Sequence, residues 1–182
     1  MAINSFPSQS ASQARKHKTL LIVWHSRTGA AQQMAQAASQ GALDILQELR
    51  AEDQVDCILM QASQTTPDHL LQASALLFCC PENLAGISGE MNEFFDRCYY
   101  PVLDQLNGLP YALMVSAGTD GTGAIRQMQR ICTGWRLREA APPLLIRTGA
   151  QTPQAILAPK NLPPDELEAC ATLGATLTAL IA

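Results

Sequence analysis

The chain has little charge and no long hydrophobic run, and each shortage excludes a class of function. Charged residues make up 15% of its 182 residues and the formal net charge is -4, which argues against a broad nucleic-acid surface. No run of about 18 or more apolar residues occurs, so we expect no segment that spans a bilayer. Hydrophobic residues make up 47%, as in a folded domain with a sizeable core.

Patterns typical of metal sites and disulfide frameworks are missing as well. The six cysteines form no C-x-x-C pair, and the histidines have no metal-ligand spacing beside them. Cys57, Cys79 and Cys80 lie in strand-like apolar runs, where cysteine behaves as a small buried hydrophobe. We therefore expect reduced thiols in a cytoplasmic protein that holds no metal.

The first 18 residues differ in composition from the rest of the chain. They are rich in Ser and Gln, free of acids, and lack the apolar core of a secretory signal. We predict a disordered polar tail over residues 1–18, with an organelle transit peptide as the alternative. Residues 19–182 are predicted to form one domain.

Five short apolar runs alternate with segments of helical periodicity. The predicted strands cover residues 19–24, 55–60, 75–80, 111–116 and 144–147. Helices are predicted from about 30 to 50, from 66, from about 90 to 108 with a kink at Pro101, from 123 to about 135, and from 164. Continuous apolar strands joined by helices indicate an α/β fold, a three-layer, doubly wound parallel sheet.

The segment that joins the first strand to the first helix is suited to binding an anion. The first turn of a helix has unpaired N–H groups and a partial positive charge, which attract phosphate. Ser26 and Thr28 add hydroxyl donors there, and Gly29 lets the backbone approach closely. We predict that this loop binds a phosphate group.

Three polar loops are expected at one edge of the sheet, where ligands of such folds bind. They are residues 25–31, 81–89 and 116–123, all rich in small or polar residues. A phosphate-accepting receiver domain is excluded because Cys80-Pro81 stands where an aspartate is required. No lysine follows Gly29 as a Walker loop requires, and a single glycine does not make a dinucleotide fingerprint.

Two motifs carry a resemblance to a known family. They are Trp24-His25-Ser26-Arg27-Thr28-Gly29 and Pro81-x-Asn83-x-x-Gly86-x-Ser88-Gly89-x-Met91-x-x-Phe94-Phe95-Asp96-Arg97. With them the chain, from about residue 19 to its end, resembles the flavodoxin-like NAD(P)H-dependent FMN reductases. The resemblance implies a flavodoxin-like fold with a five-stranded parallel sheet in the order 2-1-3-4-5. It also implies non-covalent FMN, NAD(P)H as electron donor, a small acceptor such as a quinone or free flavin, and a homo-oligomer.

The resemblance also implies which residues bind the cofactor. The hydroxyls of Ser26 and Thr28, with the backbone N–H groups of Arg27, Gly29, Ala30 and Ala31, would bind the phosphate. The ring would lie along a second set, Pro81, Glu82, Asn83, Leu84, Ala85 and Gly86. Its far side would be closed by Ala117, Gly118, Asp120 and Gly121. The resemblance assigns no catalytic residue.

The sequence departs from the family pattern at two places. Ala30 and Ala31 stand where a hydroxyl residue often follows the glycine of the phosphate loop. Loops 81–89 and 116–123 contain no aromatic residue, which disfavours a one-electron carrier and leaves one ring face open to a second substrate. The alternative hypothesis is a non-enzymatic electron carrier or partner-binding module with weak or lost FMN.

For several other residues in or near the two motifs we predict a structural role. Trp24 is expected in the core and His25 at the rim of the site. Asp96-Arg97 is interpreted as an ion pair or a carbonyl-bonding group rather than as catalytic machinery. The aromatic residues 94, 95, 99 and 100 are expected in the core or at a subunit interface. Residues 151–154 are read as a polar loop without an assigned role.

Overall fold

The computed structural model describes residues 17–182, so that all but the last two residues of the predicted tail lie outside the described part. The strands are β1 (Lys18–Trp24), β2 (Val55–Gln61), β3 (Ala75–Asn83), β4 (Gly86–Ile87), β5 (Pro110–Ala117), β6 (Arg138–Glu139) and β7 (Leu144–Arg147). The helices are α1 (Ala30–Leu49), α2 (Pro67–Gln72), α3 (Gly89–Tyr99), α4 (Thr122–Gly134), α5 (Pro153–Leu157) and α6 (Pro164–Ile181). Among the described helices, none has the length and apolar character needed to cross a membrane.

The main sheet is parallel and has the strand order predicted from the resemblance. β1 lies between β2 and β3, and β5 follows β3. The predicted fifth strand is β7, which pairs with the end of β5, while the short β6 pairs with the start of β5. Pro142 and Pro143 lie between these two pieces, and because proline has no N–H to donate, the edge strand is interrupted there.

Each central strand sends alternate side chains to opposite faces of the sheet, because successive residues of a strand point in opposite directions. Leu21 and Val23 of β1 pack in a cluster with residues of α2, α3 and α4. Leu20 and Ile22 pack in a second cluster with α1 and α6. The two clusters cover both faces, which confirms the predicted three layers.

The cluster beneath α3 and α4 is built around aromatic rings. Phe78 of β3 lies 5.0 Å from Phe95 between ring centroids, and Phe95 lies 5.2 Å from Trp135. Of the four aromatic residues singled out on α3, Phe94 and Phe95 are therefore core residues, whereas Tyr99 and Tyr100 are exposed.

On the opposite face, α1 and α6 approach closely through glycines. A Cβ atom at Gly174 of α6 would collide with the carbonyl of Ala38, and one at Gly41 of α1 would collide with the carbonyl of Ala171. The two helices can pack at this distance only because both positions lack a side chain.

Three predictions of local structure were wrong. β3 does not end at Cys80: it continues through Pro81 to Asn83 and turns back as β4, so part of the predicted loop is a hairpin. α3 ends at Tyr99 rather than near Gly108, because Pro101 has no N–H with which to continue the helical hydrogen bonds. The predicted loop at residues 151–154 contains the start of α5.

Candidate functional site

The carboxyl ends of β1, β3 and β5 meet at one edge of the sheet and surround a cleft of about 980 Å³. This is the upper end of the size range of small-molecule sites. The cleft brings together ten of the predicted site residues, from all three polar loops. They are Ser26, Arg27, Thr28, Ala30, Pro81, Glu82, Asn83, Leu84, Ala117 and Gly118.

Six other predicted residues do not line the cleft: Gly29, Ala31, Ala85, Gly86, Asp120 and Gly121. Ala31 is fully buried in the core. Ala85 lines a groove on the other side of the hairpin, and Gly86 lies against the Gln127 side chain of α4. The Asp120 carboxylate accepts a hydrogen bond from the Thr122 hydroxyl at 2.8 Å, directly before α4.

The loop before α1 has the geometry of an anion site. Gly29 is in the left-handed region with φ 93, and α1 begins at the next residue. The Gly29 N–H donates to Ser26 Oγ at 3.1 Å, which leaves the Ser26 hydroxyl hydrogen available to another acceptor. The N–H groups of the first turn of α1 have no helical acceptor, so their partial positive charge is directed at the loop.

The second loop is a tight hairpin with an unusual backbone. Leu84 and Ala85, between β3 and β4, have φ values of 52 and 62. Two successive left-handed residues form the hairpin turn that normally contains Asn or Gly, and non-glycine residues there cost about 1–2 kcal/mol each. The turn holds the Leu84 side chain fully exposed at the rim of the cleft.

Glu82 connects the second and third loops. Its Oε2 accepts a hydrogen bond from the N–H of Gly121, the residue before α4, at 2.8 Å. Its Oε1 is buried and has no hydrogen-bond partner within the described part of the chain. A buried acceptor without a donor is costly, so Glu82 offers this side of the cleft an open acceptor.

His25, which we expected at the rim, is hydrogen-bonded to Ser88 and lies within ion-pair distance of Glu90. Nδ1 lies 2.8 Å from Ser88 Oγ, and Nε2 lies 3.4 Å from Glu90 Oε1. The same carboxylate oxygen lies 3.4 Å from Arg27. Both His25 and Glu90 line the cleft, and sequence reasoning missed Glu90 because it reads as an ordinary first-turn residue of α3.

The protonation states of this cluster follow from its geometry. The backbone N–H at the start of α3 lowers the pKa of Glu90, and its neighbours His25 and Arg27 act in the same direction. The Ser88 hydroxyl can donate to or accept from His25 Nδ1, and the tautomer of the ring determines which of the two atoms donates. Burial lowers the pKa of His25, so the imidazole is neutral near pH 7.

The chain Ser88–His25–Glu90 has the order of a hydrolase triad but not its accessibility. Ser88 is 0% exposed, so its hydroxyl cannot reach a substrate in the cleft. The Ser88 hydroxyl therefore orients the imidazole, and the cluster gives no support to nucleophilic catalysis.

A fourth wall of the cleft comes from residues 148–162, which we call the α5 segment. Its residues Thr148, Ala150, Ile156, Leu157 and Lys160 line the cleft. The segment is attached to the third loop by hydrogen bonds from Thr148 N–H to the Ala117 carbonyl at 2.9 Å and from Gly149 N–H to the Gly118 carbonyl at 2.8 Å.

The sequence contains a local signal for α5. Thr152-Pro153 is the same cap-and-proline pair as Thr66-Pro67, from which we predicted α2. In the structure the Thr152 hydroxyl accepts a hydrogen bond from the Ala155 N–H at 3.2 Å. The remaining unpredicted lining residue is Ser116, at the end of β5.

Of the residues interpreted as structural, Arg97 has the predicted carbonyl-bonding role, while Asp96 has no ion-pair partner within the described part and Trp24 is only partly buried. Arg97 donates to the carbonyls of Thr65 at 2.7 Å and Ala62 at 3.0 Å, which fixes the loop before α2. Trp24 packs against the core cluster beneath α1 and α6. The six cysteines are unpaired, and within the described part no cluster of His, Cys, Asp and Glu could hold a metal ion.

Comparison with known proteins identifies a family match and similar folds. One protein family, described as NADPH-dependent FMN reductase, matches residues 26–139, which is more than half of the chain. The match includes the first three loops of the cleft and ends before the α5 segment. No curated protein matches the sequence.

Solved structures show the same fold at low sequence identity. A flavodoxin from the domain Archaea has a TM-score of 0.69 and 16% identity over 90% of this chain and 98% of the flavodoxin. A flavodoxin-like, WrbA-like protein from Agrobacterium tumefaciens has a TM-score of 0.64 and 16% identity, covering 90% and 97%. The flavodiiron protein of Giardia intestinalis has a TM-score of 0.69 and 13% identity over 91% of this chain, but this chain spans only 36% of it. The fold is therefore flavodoxin-like.

Proposed function

Because the chain belongs to the NADPH-dependent FMN reductase family, we propose that it passes electrons from NAD(P)H through FMN to a small acceptor, a quinone or a free flavin. The observation that carries this proposal is the cleft itself. It joins the amino end of α1, the β3–β4 hairpin and the loop after β5 around one space of about 980 Å³.

The residues at the α1 end of the cleft suit the phosphate of FMN. Ser26 and Thr28 have hydroxyls that can donate, and the start of α1 directs partially positive N–H groups at the same place. Ala30 and Ala31 add backbone N–H groups but no hydroxyls. We propose that Ser26 and Thr28 provide the side-chain hydrogen bonds to the phosphate.

The other end of the cleft suits a flat ring with one polar edge. Glu82 Oε1 is an open acceptor, and the isoalloxazine ring of a flavin has an imide N–H to donate. Leu84 on the hairpin and Leu157 on α5 are exposed apolar side chains at the rim, where flavin or acceptor would cover them. When bound, FMN would supply the hydride and electron chemistry, while the protein supplies position and electrostatics.

We further propose that the protein acts in the cytoplasm as a homo-oligomer. The six unpaired cysteines suit a reducing compartment. A groove of about 670 Å³ lies between α3 and α4, with Phe95 and Trp135 among its lining residues. We propose that a second copy of the chain covers this groove, whose lining is partly aromatic and partly charged.

The proposal is tested by adding FMN to the purified protein and measuring quenching of flavin fluorescence, then adding NADPH and a quinone. We expect binding, followed by steady NADPH oxidation. A protein that stays colourless with FMN would contradict the proposal. FMN binding without turnover would favour the electron-carrier hypothesis instead.

A substitution in the same FMN-binding assay tests whether the phosphate binds at the loop before α1. Thr28→Val removes one hydroxyl donor to a charged group, so we expect FMN affinity to fall about tenfold. Thr172→Val removes an exposed hydroxyl on α6, away from the cleft, and should leave the affinity unchanged.

A further inference from the structure

Lys160 lines the cleft from outside the part of the chain that matches the family. Its N–H donates to the carbonyl of Thr28, in the phosphate loop, at 2.8 Å. Its own carbonyl accepts from Gln33 Nε2 at 2.6 Å, and Gln33 Oε1 accepts from the Leu162 N–H at 3.1 Å. Gln33 therefore fastens this part of the α5 segment to the start of α1.

The ammonium group of Lys160 is bonded but not neutralised. It donates to the carbonyls of Ala155 at 2.7 Å, Ile156 at 3.0 Å and Ala158 at 2.5 Å. Among the described residues no carboxylate lies within ion-pair distance of it, whereas Arg27 shares Glu90. Carbonyl oxygens of α5 hold the ammonium in place, and no carboxylate within the described part neutralises it.

Few charged groups line the cleft, so the charge of Lys160 affects which ligands the cleft attracts. Glu82 and Glu90 contribute two carboxylates, and His25 is neutral near pH 7. Arg27 is paired with Glu90, so Lys160 is the cation in the lining that remains without an anionic partner. A phosphate monoester carries close to two negative charges at pH 7, and its attraction to a cation is strong where water is partly excluded.

We propose that Lys160 is a specificity-determining residue that favours phosphate-bearing flavin over riboflavin. This inference rests on the proposed binding of FMN in the cleft. Its charge compensates for the hydroxyls that Ala30 and Ala31 do not provide. The backbone of Lys160 is bonded to Thr28 of the phosphate loop and to Gln33, and these contacts fix the point from which its side chain extends.

The test measures the dissociation constants of FMN and of riboflavin, which lacks the phosphate, by quenching of flavin fluorescence. Lys160→Gln removes the charge and keeps N–H donors for the α5 carbonyls. We expect about tenfold weaker FMN binding and unchanged riboflavin binding. Lys160→Arg should retain the preference, and Lys18→Gln, at the far end of β1, is the matched control.

The outcomes separate this inference from the proposed function. If Lys160→Gln weakens both flavins equally, or if Lys160→Arg loses the preference, Lys160 only caps α5 and the inference is wrong. If the unsubstituted protein binds neither flavin, the proposed function fails. Should Lys160→Gln not fold, Lys160→Met is measured in the same way: a loss confined to FMN supports the inference, and an equal loss for both flavins overturns it.

Discussion

At the scale of single residues, the His25 cluster shows how the start of a helix sets the charge of the cleft. Ser88 precedes α3, but its hydroxyl makes no capping hydrogen bond and instead contacts His25. The N–H groups at the start of α3 stabilise the Glu90 carboxylate, which lies 3.4 Å from His25 Nε2. The charge that Glu90 gives to the cleft therefore depends on the backbone of α3.

The lowered pKa of His25 predicts that the protein loses stability on acidification. The folded state disfavours the imidazolium, so below the ordinary value of 6.5 the unfolded state binds more protons. The contribution of neutral His25 to the stability of the folded state is present above pH 6.5. It is lost as the pH falls through the lowered pKa that His25 has in the folded state. Glu90, whose pKa is also lowered, acts in the same direction but below its ordinary value of 4.5.

The measurement is the free energy of unfolding in urea at about pH 7.5 and about pH 5.5, a window that His25 dominates over carboxylates. His25→Asn keeps an acceptor for Ser88 and has no titrating ring. We expect its stability to change less between the two pH values than that of the unsubstituted protein. Equal changes in the two proteins would show that His25 does not cause the loss.

At the scale of secondary-structure elements, the strands that consist of continuous buried apolar residues could be predicted from the sequence. β1, β3 and β5 are buried on both sides, so their runs were visible and their order followed from the resemblance. The β3–β4 hairpin was missed because its turn residues, Leu84 and Ala85, carry no turn signal. Its geometry depends on the tertiary contact between the Ala85 carbonyl and Gly123 of α4.

The fourth wall of the cleft could not be predicted for a different reason. α5 has five residues and none of them is buried, so it leaves no hydrophobic period in the sequence. Its position comes from Lys160 and Gln33, which are 127 residues apart in the chain. A contact at this separation cannot be inferred from local spacing.

The glycines between α1 and α6 give a prediction at the same scale. Gly174→Ala places a methyl group against the backbone of Ala38, which cannot move without displacing α1. We expect a loss of about 1–3 kcal/mol in the free energy of unfolding, although alanine favours a helix more than glycine does.

The matched control for this prediction is Gly89→Ala at the first residue of α3, where no atom lies within 4 Å of the added methyl group. There we expect a gain of about 0.4–1 kcal/mol. Both values come from urea unfolding at one pH. A stabilised Gly174→Ala variant would mean that α1 and α6 separate at little cost.

At the scale of the whole molecule, the two faces of the sheet are closed to different degrees. α1 and α6 pack in contact through Gly41 and Gly174, and they cover their face. α3 and α4 are separated by the groove, whose lining includes Phe95 and Trp135. The cleft and this groove lie on opposite sides of the β3–β4 hairpin, since Leu84 lines the cleft and Ala85 lines the groove.

The charges beside the groove predict how two copies would meet. Asp96 lines it from α3, and Arg126 and Arg130 line it from α4. Among the described residues these three side chains have no ion-pair partner, so a two-fold axis that brings α3 of one copy to α4 of the other pairs opposite charges. We expect light scattering after size-exclusion chromatography to give twice the mass of one chain, which is 19.6 kDa.

Substitutions at the groove test this arrangement. Arg130→Glu places like charges opposite each other and should shift the protein to the monomer, while Asp96→Arg combined with Arg130→Glu should restore the dimer. Arg138→Glu makes the same charge change at the exposed β6, outside the groove, and should leave the mass unchanged. The groove is not the interface if the unsubstituted protein is a monomer. The same conclusion follows if Arg130→Glu and Arg138→Glu dissociate the dimer equally.

Because Ala85 lines the groove, dissociation of the dimer would also uncover the β3–β4 hairpin, whose Leu84 lines the cleft. The affinity for FMN should then fall together with the measured mass.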